Sequence, residues 1–246
     1  MLSKAQNKYI RSLTQPKFRN EYKVFIAEGE KIALEWLGAA APVQTIVTTA
    51  EWAQLHRAAI ARHPEAELHI VKVSELAALT TLQTPNNVLL VVPMPAKKDI
   101  PVLNEWYLAL DDLQDPGNMG TVIRIADWFG IRNIVCSPGC VDVYNPKVVQ
   151  SAMGGHLRVS IHEADLVTFL SGNKVPKIAA TLHGSNVYEM KRLEAGVLII
   201  GNESKGVSQG VAAMATQAVT IPRKGGAESL NAGVSAGILC ALLLRC

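Results

Sequence analysis

Four cysteines in 246 residues is a small number, and none stands in a C-x-x-C pair. Cys136, Cys140, Cys240 and Cys246 are too few for a disulfide scaffold and too scattered for a zinc site, and the six histidines add no ligand spacing. They read as reduced thiols of a cytoplasmic protein. No uninterrupted apolar run reaches the roughly 18 residues of a membrane span; the last such run carries polar Asn231 and Ser235. The N-terminus lacks a signal-peptide core, so neither secretion nor a membrane partner is expected. The dinucleotide fingerprint G-x-G-x-x-G and the phosphate loop G-x-x-x-x-G-K-[ST] are both missing. Any nucleotide-like ligand therefore needs another cradle. Internal repeats at solenoid periods are also missing. Charge is scarce as well, at 18% against 49% hydrophobic residues, which excludes disorder and allows a sizeable core.

The charge that is present is unevenly placed. The net +3 permits a nucleic-acid partner without requiring one. Residues 1–23 hold Lys4, Lys8, Arg11, Lys17, Arg19 and Lys23 against the single acid Glu21. Such an arm suits either a phosphate backbone or plain solvent.

Periodicity gives an α/β chain in two parts. The first has a helix over 1–14, strands over 23–27, 43–48, 68–73 and 87–92, and helical segments between them. Residues 93–101, PMPAKKDIP, hold three prolines and mark a linker and domain boundary. The second part alternates strands (106–110, 133–136, 157–161, 177–181, 197–200, 218–221) with helices (118–129, 146–151, 164–170, 207–214), which predicts a mostly parallel sheet covered on both faces. Leu182-His-Gly-Ser185 reads as a turn. Ser229 is the expected N-cap of a C-terminal helix over 230–244.

Several polar residues invite chemistry. Asp111, Asp112 and Asp115 suggest a magnesium site, but acids also end strands and open turns, and Asp115-Pro116-Gly117 is a turn signal; no metal is expected. Gly233-Val-Ser235-Ala-Gly237 matches the hydrolase nucleophile elbow, yet no Asp, Glu or His follows Ser235, so its glycines read as helix-packing positions. Asn202-Glu203-Ser204 is a glycosylation sequon only in form. Arg124 interrupts the apolar run Val122, Ile123, Ile125, Ala126, where a lone guanidinium either snorkels or serves a ligand. Ligands of a parallel sheet bind at the carboxyl ends of its strands, where Thr181, Gly201 and Ile221 fall.

Three stretches taken together are more specific. They are Asn118-Met-Gly120-Thr-Val-Ile-Arg124, then Gly201-Asn-Glu203-Ser-Lys-Gly206, then Ile221-Pro222 with Ser229-Leu230-Asn231. In this order, from Asn118 to Asn231, they resemble the three motifs of the SPOUT superfamily of RNA methyltransferases, in its SpoU (TrmH-type) branch. Phe25-Ile-Ala-Glu28-Gly29 resembles the ribosomal-protein-like substrate-binding domain that precedes many SpoU catalytic domains. The resemblance implies an RNA substrate-binding domain over 1–95, a linker over 96–101 and a trefoil-knotted catalytic domain over 102–246. It implies an S-adenosylmethionine-dependent transfer of methyl to a ribose 2′-hydroxyl of ribosomal or transfer RNA, by a homodimer. The residues it assigns to catalysis are Arg124, Asn118, Glu203, Ser229 and Asn231, with Thr181, Ile200, Gly201, Gly206, Ile221 and Leu230 lining the cofactor pocket. Two other outcomes stay open at this stage: ring-nitrogen methylation within the same superfamily, and an RNA-binding protein that keeps the fold without the activity.

Overall fold

A computed structural model describes residues 2–80, 86–102 and 104–244. Its chain divides into two compact units, Met1–Ala96 with Asp142–Leu157, and Lys97–Val141 with Arg158–Cys246. The excursion Asp142–Leu157, expected within the second domain, thus packs with the first unit.

The first unit begins with α1 (Lys4–Ser12) and α2 (Pro16–Tyr22) and runs through β1 (Val24–Glu28), α3 (Glu30–Gly38), β2 (Thr45–Thr48), α4 (Ala50–Leu55), α5 (Arg57–Ile60), β3 (Glu67–Ile70), α6 (Val73–Ala77) and β4 (Val88–Pro93). Its sheet has the order β1-β4-β2-β3. β4 pairs antiparallel with both β1 and β2, and β2 pairs parallel with β3. Alternation along the strands sorts the side chains into two cores. Phe25, Ala27, Val88, Leu90 and Val92 pack with Ile32, Ala33, Trp36 and Leu37 of α3. Val24, Ile26, Leu89 and Val91 pack on the opposite face with Ile10 and Leu13 from the first helix and its cap. The helix expected over 1–14 stops at Ser12, and Lys23, expected to open a strand, is instead the left-handed cap of α2.

The second unit contains β5 (Trp106–Leu110), α7 (Pro116–Trp128) and β6 (Asn133–Cys136). After the excursion, which holds α8 (Pro146–Ala152), come β7 (Ser160–Glu163), α9 (Leu166–Gly172), β8 (Lys177–Asn186), β9 (Gly196–Ile200), α10 (Gln209–Ala212), β10 (Gln217–Thr220) and α11 (Ala232–Leu243). All six strands are parallel, in the order β10-β8-β9-β5-β6-β7. Tyr107, Ala109, Val197 and Ile199 face Leu166 and Leu170 of α9. The alternate residues Leu108, Leu110, Leu198 and Ile200 are equally buried and face the other way, where α7 and α11 pack.

Two expectations need correcting here. Residues Leu182–Ser185 do not form a free turn; they belong to β8. That strand pairs with β9 only as far as Ala179, and its register with β10 jumps from Ala179↔Ala218 to Ser185↔Val219. The stretch between is a detour in the strand, and a local sequence pattern cannot distinguish that from a turn. The helix expected over 207–214 is only the single turn of α10.

Candidate active site

Asp115 caps α7: its Oδ1 accepts from the Asn118 N–H at 2.8 Å, and Pro116 occupies the first turn, where no intrahelical donor is needed. That cap places Asn118, only 8% exposed, at the mouth of the helix. Its Nδ2 donates to Glu203 Oε1 at 3.1 Å, and its Oδ1 accepts from Asn231 Nδ2 at 2.7 Å. Asn231 in turn caps α11 by accepting from the Val234 N–H at 3.1 Å. Glu203 also accepts from the backbone N–H groups of Asp115 at 3.0 Å and Gln114 at 3.2 Å. One continuous hydrogen-bonded line, Glu203–Asn118–Asn231, therefore joins all three sequence motifs, which lie 85 and 113 positions apart.

Burial pushes the Glu203 carboxyl up, but the donors on it outweigh that and hold it below the ordinary carboxylate range. Glu203 is thus a fixed anion that orders two loops. Ser229, assigned above to the cap and to catalysis, is not the cap: it stands exposed in the loop, and α11 starts at Ala232 with Asn231 as its cap. Both are good capping residues, and the choice falls to Asn231 because Asn118 holds its amide.

The second motif is a tight turn. Asn202 and Gly206 exchange backbone hydrogen bonds at 3.0 and 2.9 Å. A Cβ on Gly201 would overlap the Gly206 carbonyl carbon and the Val207 nitrogen, so only glycine fits there. Asn202 is not a glycan acceptor here but a brace. Its Oδ1 accepts from the Ser204 and Lys205 N–H groups, and its Nδ2 donates to the Asp112 carbonyl at 2.7 Å. Of the three acids weighed as metal ligands, Asp111 accepts from the Ser208 N–H at 2.7 Å, Asp115 caps α7, and Asp112 accepts from Gln114 Nε2 at 3.2 Å. Asn202, Gln114 and Asp115 are the site-shaping residues that sequence reasoning missed. Only the cap signal of Asp115 before Pro116 was there to find the last of them.

The residues assigned to a cofactor fall within β8, at or past the carboxyl ends of β9 and β10 and in the loop before α11. Ile200 ends β9 and is 3% exposed; Ile221, just past β10, is half-buried; Leu230 is 48% exposed. Thr181 follows the last β8–β9 pairing, and its Oγ1 is buried without a hydrogen-bond partner in the structure. A buried hydroxyl left unpaired costs free energy. A nucleoside brings both apolar ring faces and polar edges, so this set of apolar side chains, backbone groups and one unsatisfied hydroxyl fits such a ligand. A cavity of about 450 Å³ lined by Pro176, Asn186, Lys191 and Gln217 contains none of the motif residues.

Arg124 is exposed and bonded to nothing among the described residues. It sits on α7 one turn past Thr121, beside the face that meets α11. A Cβ on Gly233 would come within 2.8 Å of Thr121 Cγ2, and Gly237 lies against Ile125, so small residues let the two helices close on each other. The packing role expected of the elbow-like glycines is what they perform. Near the ends of β5 and β6, Cys140 accepts a hydrogen bond from Cys136 that lowers its thiol to about 7, while Cys136 is raised well above its ordinary value. Cys136, Cys140 and Cys240 are free thiols; Cys246 lies outside the described residues.

Residues 105–241 match the SpoU rRNA Methylase family, and residues 4–90 match the MRM3-like substrate binding domain. The chain is 30% identical, over 93% of its length and 92% of the relative's, to the Bacillus subtilis 23S rRNA (guanosine(2553)-2′-O)-methyltransferase RlmP. Among solved structures it is similar to a putative RNA methyltransferase of the TrmH family from Porphyromonas gingivalis, at 35% identity and TM-score 0.85, covering 100% of this chain and 99% of that one. It is likewise similar to an AdoMet-bound rRNA methyltransferase from Sinorhizobium meliloti, at 29% identity and TM-score 0.86, covering 98% and 94%.

Proposed function

We propose, from the premise that this chain belongs to the SpoU rRNA methylase family, that it transfers a methyl group from S-adenosylmethionine to a ribose 2′-hydroxyl of ribosomal RNA. The observation that carries the reading is the Glu203–Asn118–Asn231 line, which gathers three separated motifs at one rim of a parallel sheet. S-adenosylmethionine supplies a methyl already activated by a sulfonium, so the protein's task is alignment and proton management. Thr181, Ile200, Gly201, Gly206, Ile221 and Leu230 are the residues that hold it. Arg124 presents its guanidinium to the target nucleotide. A guanidinium holds its proton and is a poor base. It acts instead by stabilising the oxygen as the 2′-hydroxyl loses its proton to a substrate phosphate or water. Asn118, Glu203 and Asn231 keep the α7 entrance fixed, and Ser229 offers its free hydroxyl to the substrate from the loop.

The first unit is the RNA substrate-binding part and the second the catalytic part. The second is threaded at its C-terminus as in its family, a reading supported by the bridge of Leu244 to Leu193 and the Leu193 N–H bond to the Leu243 carbonyl at 2.8 Å. The enzyme works as a homodimer in the cytoplasm. Supporting the dimer, α7 and α11 pack side by side yet leave Trp128 83% and Val234 51% exposed. Sedimentation of Trp128→Glu with Val234→Glu, expected to give a monomer, checks it.

The test of function is methyl transfer from labelled S-adenosylmethionine to ribosomal RNA, followed by alkaline hydrolysis. A 2′-O-methyl leaves the adjoining phosphodiester uncut. Label in fully cleaved nucleotides would mean base methylation, and failure to bind S-adenosylmethionine would mean a non-catalytic RNA binder.

A further inference from the structure

The corner between α1 and α2 is built around a buried arginine. Arg19 is 1% exposed; its Nη1 donates to the carbonyls of Leu13 and Thr14, both at 2.8 Å, and its Nε donates to Asp142 at 3.1 Å. It is therefore not part of the basic arm to which the sequence assigned it. A seven-residue helix has little stability of its own, so these bonds fix the position of α2. What they hold in place is an aromatic cluster. Phe18 and Tyr22, one turn apart, stack at 6.2 Å with an interplanar angle of 14°, and Tyr9 of α1 meets Tyr22 edge-on at 5.1 Å. Tyr22 remains 43% exposed, and Lys17 Nζ lies 5.7 Å from the Phe18 ring centre. In the same segment Lys4, Lys8, Arg11, Lys17 and Lys23 are all exposed, with Glu21 the one acid between residues 2 and 23.

We infer that Tyr22 and Phe18 form a stacking platform for an unpaired base of the RNA, flanked by lysines that hold its phosphates. This rests on the RNA-modifying reading above and deepens it. Rings held in place by a buried brace, Tyr22 exposed and Phe18 half-buried, are preorganised for a planar ligand, and the positive charge of the segment selects a polyanion. Bases within an A-form duplex are stacked and cannot present their faces, so the ligand is a loop, bulge or single strand rather than a helix.

The experiment is binding of the full chain to a short oligouridylate, and to an RNA duplex of the same length, across a range of salt. Tyr22→Ala with Phe18→Ala should weaken single-strand binding roughly tenfold without changing the slope of log affinity against log salt. Tyr22→Phe should keep most of the affinity, and duplex binding should hardly move. Lys17→Ala should flatten the slope instead. Unchanged single-strand affinity in the double variant, equal loss on duplex, or equal damage by Tyr22→Phe would overturn the platform. So would binding to anionic vesicles but not to oligouridylate. If the double variant does not fold, photo-crosslinking of 5-iodouridine RNA to the wild-type chain decides. Adducts on Tyr22, Phe18 or Tyr9 support the platform, and adducts elsewhere alone refute it. Wild-type methyl transfer with an unchanged KM for RNA in Tyr22→Ala would sink the platform and leave the enzymatic reading standing. Oligouridylate binding without methyl transfer would do the reverse.

Discussion

Two arginines on two helices met opposite fates. Arg19 in the first unit is 1% exposed and gives its guanidinium to two carbonyls and a carboxylate. Arg124 in the second is exposed and gives its guanidinium to nothing among the described residues, although the polar side chains that open its own helix are tied into a line. A buried charge survives only when its donors are satisfied, and then it is structure. A charge left free at the edge of an ordered network is available to a ligand. Histidine and glutamate repeat the lesson. His156 in the first unit is held neutral by burial, which lowers it to about 4, while Glu203 in the second is held charged by the N–H groups aimed at it.

The largest effect should come from the free charge. Arg124→Ala is expected to reduce methyl transfer by roughly a hundredfold or more while S-adenosylmethionine binding and the melting temperature stay near wild type. Normal turnover would remove Arg124 from the chemistry and erase the contrast.

The closed charge should show the converse. Arg19→Met leaves the Asp142 carboxylate without its partner and should cost about 3 kcal/mol in urea unfolding. A loss below a tenth of that would mean the network is decorative.

For His156, Nε2 donates to the Val143 carbonyl at 2.8 Å while Nδ1 is buried without a partner, so a second proton has nowhere to bond. The folded pKa of about 4 lies below the ordinary 6.5, so the unfolded chain binds the proton more readily. Stability is therefore complete above pH 6.5 and falls as pH drops toward 4. At about 1.4 kcal/mol per unit the full difference is about 3 kcal/mol, lost progressively through that window. His156→Gln should remove this part of the pH dependence; identical pH profiles for the two proteins would refute it.

The smallest effect is at the cap. Asn231→Ala should lower stability by about 1 kcal/mol and reduce turnover, because it removes both the α11 cap and the bond to Asn118. Asn231→Asp keeps the cap acceptor but loses the donor to Asn118. If Asn231→Asp turns over like the wild type, the Asn118 bond has no role in positioning.

How much of this could be read beforehand varies from residue to residue. The strands of the first sheet were legible because the short apolar runs along Val24–Glu28 and Val88–Pro93 are local and buried on both faces. The Pro116 start of α7 was missed, because Asp115-Pro-Gly read as a turn and the helix was expected only from residue 118. The cap of α11 was not legible: Ser229 and Asn231 are both good acceptors, and the deciding bond comes from Asn118. The course of β8 past Thr181 was not either, since it depends on where β10 resumes pairing. Arg19 looked like one more surface cation, because its partner Asp142 lies 123 positions away.

The sequence by itself determined the alternation of elements and the apolar interior, which follow from steric and hydrophobic preferences that act over a few neighbours, while the motif residues stood out by their resemblance to a family. Tertiary structure alone decided which polar group meets which: that Glu203 orders two loops, that Thr181 keeps a buried hydroxyl unpaired, and that one arginine is consumed by the fold while the other stays free. Hydrogen bonds are short-ranged in space but indifferent to separation along the chain, so their pairing exists only once the backbone has brought distant segments together.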